Sequence, residues 1–134
     1  AAIRACLDCG VGVEADVWGV DGALWLGHDR PQWRADVDCL SGADVMCHAK
    51  NVSAAVILRS LPVNFFCLER DSFSICSNGL IWADYGCQAT PFSIMCSPEL
   101  VGETESIKKF YASVAKAHGV CTDYPPRYLE LLEG

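Results

Sequence analysis

Between residues 13 and 18 the chain alternates, with Val13, Ala15 and Val17 apolar, Glu14 and Asp16 acidic, and Trp18 continuing the acidic side. A period of two predicts a strand with one apolar face and one face bearing two carboxylates. Asp21-Gly22 follows as a two-residue hairpin signal, and "ALWL" at 23–26 returns as the partner strand. Ahead of the strand, "AAIRACLDCG" carries helix formers up to Cys9 and then Gly10, a natural helix stop. Short apolar runs predict further strands at 43–48, 63–68, 80–83, 92–96 and 119–123. Helical spacing predicts helices over 51–61 and 103–119, the second with Ile107, Phe110, Tyr111 and Val114 on one face. The closing "PPRYLELLEG" begins with prolines suited to a helix N-terminus. Strands alternating with helices predict an α/β architecture with a mainly parallel sheet. No linker-like tract divides the chain, so a single domain over residues 1–134 is expected.

Composition narrows the classes. Hydrophobic residues make up 51% of the 134, enough for a real core. The formal net charge is -7, and Lys108-Lys109 is the only cluster of basic residues, so the electrostatic footprint of a nucleic-acid binder is missing. The longest aliphatic run, Ala54 to Leu58, falls far short of the roughly 18 to 20 apolar residues that span a bilayer. Nine cysteines are an odd number, and several lie inside apolar runs ("VMC", "FFC", "IMC"), where thiols read as small buried hydrophobes. Cys6 and Cys9 form a C-x-x-C without a second pair at zinc spacing. Many unpaired thiols fit a reducing compartment, and the cytoplasm is the expected setting.

The acidic strand carries the candidate chemistry. Glu14 and Asp16 share a strand face, with side chains ~7 Å apart along the chain. Two like charges so placed call for a cation, and oxygen donors suit Mg²⁺ or Ca²⁺; the alternative is a solvated strand face, against which Trp18 and the flanking apolar runs argue. His28, just beyond the returning strand, is a candidate general acid or base near neutral pH. With a strict two-residue turn it falls opposite Ala15, on the face away from the carboxylates, unless a bulge at Gly27 or Gly19 turns it back.

"AAIRACLDCGVGVEADVWGVDGALWLGHD" resembles the start of the glycerophosphodiester phosphodiesterase superfamily, in which a helix leads to a strand bearing Glu-x-Asp, a short hairpin and a His-Asp pair. "AHGVCTDYPPRYLELLEG" is similar to that family's closing strand and helix. The resemblance is specific over residues 1–29 and 118–132, roughly a third of the chain, and weaker between. It implies a metal-dependent phosphoric diester hydrolase acting on a small glycerophosphodiester. Glu14 and Asp16 would be ligands of a divalent cation, Mg²⁺ or Ca²⁺, and His28 one of two proton-trading histidines. The family's third carboxylate ligand stands in a Glu-x-Lys pattern. The match here is "CHAKN", which puts His48 at the ligand position and Lys50 at a phosphate-contacting one; a strand-end structural histidine and a solvated lysine are the alternatives. The implied fold is a TIM-type (β/α) barrel of the PLC-like phosphodiesterase kind. A full barrel needs ~250 residues, so a reduced or incomplete barrel is expected, its first strand with a His-Arg pair lying upstream of Ala1. A non-catalytic phospho-ligand-binding barrel, or an inactive fragment of such an enzyme, is the other reading.

Overall fold

The computed structural model describes residues 2–134, which fold as two compact units. The first holds the chain up to Arg70 together with Cys76–Asn78; the second holds Asp71–Ile75 and Gly79–Gly134. No Pro-, Gly- or Ser-rich linker marks the change of unit.

In the first unit, helix α1 (Ala2–Asp8) leads into β1 (Val13–Val20), β2 (Ala23–Leu26), β3 (Trp33–Arg34), α2 (Val37–Leu40), β4 (Val45–Ala49), α3 (Val52–Leu58) and β5 (Asn64–Phe66). The five strands form one sheet in the order β3-β2-β1-β4-β5. β1 pairs antiparallel with β2, starting from Val20 opposite Ala23, and parallel with β4, which pairs parallel with β5. Asp21 and Gly22 take φ of 50° and 77°, the left-handed pair that a tight hairpin requires. The expected alternation holds along β1: Ala15 and Val17 are buried on one face with Cys47 and Ala49 of β4, and α3 supplies Ala54 and Leu58 to the same core. Ile3 and Leu7 of α1 pack against that cluster.

Helix α3 is anchored by Asn51. Its side-chain oxygen accepts from the Ala54 and Gly19 backbone N–H groups at 2.9 Å each, and its amide donates to the Gly19 carbonyl at 3.0 Å. One residue therefore caps the helix and ties it to β1. A side chain at Gly19 would lie 2.5 Å from the backbone of Ser53 and Ala54, so only glycine permits this approach.

The second unit contains β6 (Phe73–Ile75), β7 (Ile81–Ala83), β8 (Ser93–Cys96), a 3-10 turn (Pro98–Val101), α4 (Ile107–Ser113), β9 (Gly119–Cys121) and α5 (Pro125–Glu133). Its sheet runs β6-β7-β8-β9, with β7, β8 and β9 parallel and β6 antiparallel at the edge. Ala83, Met95, Phe110, Val114 and Tyr128 form its core. The helix expected over 103–119 is shorter. Its start is set by Ser106, whose hydroxyl accepts from Lys109 N–H at 3.4 Å, and residues 103–105 stay outside it.

The architecture is mixed α/β, with two mixed sheets and five α-helices, and neither sheet closes into a barrel among the described residues. No helix among them is long and apolar enough to cross a membrane. Cys47 and Cys96 are buried as their apolar runs suggest, whereas Cys67 is exposed.

Candidate metal centre

The parallel register of β1 and β4 sets Asp16 beside His48, and Glu14 stands two residues back on the same face. His48 is the penultimate residue of β4 and Lys50 comes just after that strand, at its carboxyl end, while Glu14 and Asp16 are the second and fourth residues of β1, on the stretch that runs parallel to β4. One donor atom each from Glu14, Asp16 and His48 lies within 4.8 Å of the others. His48 Nδ1 is 3.0 Å from Asp16 Oδ1 and 3.8 Å from Glu14 Oε1, and Lys50 Nζ is 3.7 Å from Asp16 Oδ1. The side chains of Glu14, Asp16 and His48 are only 25%, 14% and 18% exposed.

Two contacts fix the imidazole. Nε2 lies 3.1 Å from the Leu68 carbonyl, and the ring stacks on Phe66 with centroids 4.6 Å apart and planes 13° from parallel. A carbonyl can only accept, so Nε2 carries the hydrogen and Nδ1 faces the carboxylates.

Burial separates the two acids. It pushes the Glu14 carboxyl up to about 7, with the nearby Asp16 charge adding to the shift against the smaller pull of His48 and Lys50. Burial also works to raise Asp16, but the His48 hydrogen bond and the Lys50 and His48 charges outweigh it, and that carboxyl sits below its usual range. Burial works to lower His48; the hydrogen bonds to Asp16 and Leu68 and the two carboxylate charges overcome it and hold the imidazole above its ordinary value. Next to the site, burial and then the Glu14 charge push the Cys47 thiol up to about 12, which leaves it an inert core group.

Glu14 Oε1 is buried without a hydrogen-bond partner, alone in this among the buried side-chain oxygens and nitrogens of the described residues. An orphaned buried carboxylate oxygen costs free energy unless something positive meets it. A divalent cation among Glu14, Asp16 and His48 meets that need, so the residues present fit one.

His28 is not drawn into the cluster. The β1-β2 ladder ends at Val17 opposite Leu26, and Gly27 leaves it at φ 151°, where an added Cβ would lie 1.9 Å from the Arg30 carbonyl oxygen. The chain turns out there, and the His28 side chain is 80% exposed with Nδ1 2.9 Å from Asp29 Oδ1. Its charge still helps to hold Asp16 low, as the smallest of the contributions.

Sequence reasoning did not single out Phe66 and Leu68, which orient His48. It also passed over a second polar group in the other unit. There Glu99 accepts from the Ser97 and Thr122 hydroxyls and from Asp123 N–H at 3.2 Å, while Ser97 and Tyr128 hydroxyls meet at 2.6 Å. Every member of that group is satisfied, as a structural clasp between the ends of β8 and β9 would be. Comparison with protein-family models, curated proteins and solved structures finds no match.

Proposed function

We propose that this chain is a metal-dependent phosphoric diester hydrolase of the glycerophosphodiester phosphodiesterase kind. The observation that carries the reading is the part-buried Glu14–Asp16–His48 group with its orphaned carboxylate oxygen, on the parallel β1-β4 pair and next to Lys50. The resemblance of residues 1–29 and 118–132 supports the substrate class, a small glycerophosphodiester. The parallel runs β1-β4-β5 and β7-β8-β9 support the incomplete TIM-type barrel that goes with it.

A divalent cation held by Glu14, Asp16 and His48 supplies charge neutralisation for a phosphodiester. Lys50 contacts a non-bridging phosphate oxygen as a mobile point charge, exchanging its Asp16 ion pair for the substrate. The substrate's own glycerol hydroxyl would attack phosphorus, its new P–O bond forming as the P–O bond to the leaving alcohol breaks, and His28, at the exposed end of the hairpin, would carry the proton from the attacking hydroxyl to the leaving oxygen. The test is release of alcohol from a glycerophosphodiester with Mg²⁺, Ca²⁺ or Mn²⁺ present. Release is expected to stop with chelator and with Asp16→Ala, and to fall about 10²- to 10⁴-fold with His28→Ala, the usual range for a general acid-base group. Metal-independent release, or release unchanged by Asp16→Ala, overturns the proposal.

A second reading, a phospho-ligand binder without turnover, is favoured by the exposure of His28 and its pairing with Asp29. It predicts saturable binding of the diester that needs Lys50, with no alcohol released.

A further inference from the structure

We propose that the Glu14–Asp16–His48 centre selects a first-row cation of the Co²⁺ and Zn²⁺ class over Mg²⁺ and Ca²⁺. The inference rests on reading this group as a cation site and names the ion it takes. Three observations carry it.

The first is the donor set. Mg²⁺ and Ca²⁺ bind through oxygen, whereas imidazole nitrogen suits the transition ions. One of the three converging donor atoms is a ring nitrogen.

The second is the orientation of that nitrogen. The Leu68 carbonyl holds Nε2–H at 3.1 Å, and stacking on Phe66 sets the ring plane, so Nδ1 is aimed at the space shared with Glu14 and Asp16. A backbone carbonyl behind a histidine is the usual outer support of a metal-ligating imidazole, since it fixes the tautomer and raises the basicity of the opposite nitrogen.

The third is the balance of charge. Lys50 Nζ lies 3.7 Å from Asp16 Oδ1 and offsets part of the negative charge. Affinity for Ca²⁺ is tuned by how many charged oxygens surround it, and this site offers two carboxylates with a lysine beside them. A hard ion is therefore poorly compensated here. A transition ion gains from the nitrogen bond, and three protein donors leave further positions for water or a phosphate oxygen.

The experiment titrates chelator-stripped chain with Mn²⁺, Co²⁺, Zn²⁺, Mg²⁺ and Ca²⁺ by calorimetry and follows the visible Co²⁺ spectrum. Co²⁺ and Zn²⁺ are expected to bind at least about tenfold more tightly than Mg²⁺ or Ca²⁺, the Co²⁺ bands arising from nitrogen and oxygen donors without a thiolate charge-transfer band. His48→Glu should narrow the ratio of Co²⁺ to Ca²⁺ affinity by about tenfold or more, His48→Gln should weaken Co²⁺, and Asp16→Ala should abolish both classes. Circular dichroism of each variant separates lost binding from lost folding, with His48→Gln as the conservative change. Equal affinity for Ca²⁺ and Co²⁺, or a ratio untouched by His48→Glu, overturns the selectivity while leaving the site. Binding of neither class, or Co²⁺ binding that survives Asp16→Ala with a thiolate band, overturns the site itself.

Discussion

Glu14 is the residue whose behaviour most directly reports the centre. Its carboxyl is pushed from 4.5 up to about 7 by burial and by Asp16, so the unfolded chain loses this proton at a lower pH than the folded one. Above pH 4.5 the folded state is increasingly disfavoured, until the folded carboxyl also ionises near 7. His48 acts in the same direction: its raised value contributes stability at low pH that is lost as pH climbs through its folded value. Asp16, held low, contributes stability above its unfolded value of 3.8 that is lost on further acidification. The metal-free chain is thus expected to be most stable in mildly acidic solution and to weaken toward pH 8, as denaturant midpoints across pH will show. Glu14→Gln should raise metal-free stability at pH 8 by about 1 to 3 kcal/mol, leave it little changed at pH 4, and impair cation binding. A pH-independent gap between the two proteins would contradict the burial argument. That Glu14, Asp16, His48 and Lys50 come together was legible in the sequence, because strand alternation assigns faces and a resemblance to a Glu-x-Lys pattern picks out "CHAKN". The backbone carbonyl of Leu68 was not, since a carbonyl has no side-chain signature and its placement depends on how the chain leaves β5.

At the scale of elements, β1 and α3 meet so closely that one methyl group does not fit. Gly19→Ala puts a Cβ 2.5 Å from the Ala54 nitrogen, against backbone that cannot swing aside. A loss of about 1 to 3 kcal/mol is expected, the usual cost of overpacking. Asn51→Ala removes the helix cap and leaves the Gly19 N–H without its partner, for a loss of about 1 to 2 kcal/mol. Thermal melts of the two variants and of the double variant will show whether the losses are less than additive, as the shared contact requires. Long or strongly alternating stretches were legible: β1 with its hairpin, β4, α3 and α5 all stand where the pattern placed them. β3, β6 and α2, of two to four residues each, are too short to carry a period and depend on what they pair with or pack against. His28 shows the other limit. Its face depends on where the ladder stops, which Gly27 decides through a backbone angle that residue type only permits.

Over the whole molecule, a net charge of -7 keeps chains apart near neutrality, and this repulsion vanishes near the isoelectric point of about 4.7. Phe73 and Ile75 are exposed on β6, an edge strand with unpaired backbone groups on its outer side. Self-association is therefore expected to peak close to pH 4.7, in the range where the metal-free fold is strongest. Light scattering should show it, and Phe73→Lys with Ile75→Lys should suppress it without changing cation affinity. If the double variant associates as readily as the parent, another surface is responsible. The acids themselves sit on β1, which is laced to a neighbour on both sides by β2 and β4. Its path is held by main-chain bonds that do not depend on which side chains project from it. A lineage carrying this strand can exchange the residues at 14 and 16 one codon at a time and try new reactivity at each step, because the scaffold inherits its shape separately from its chemistry.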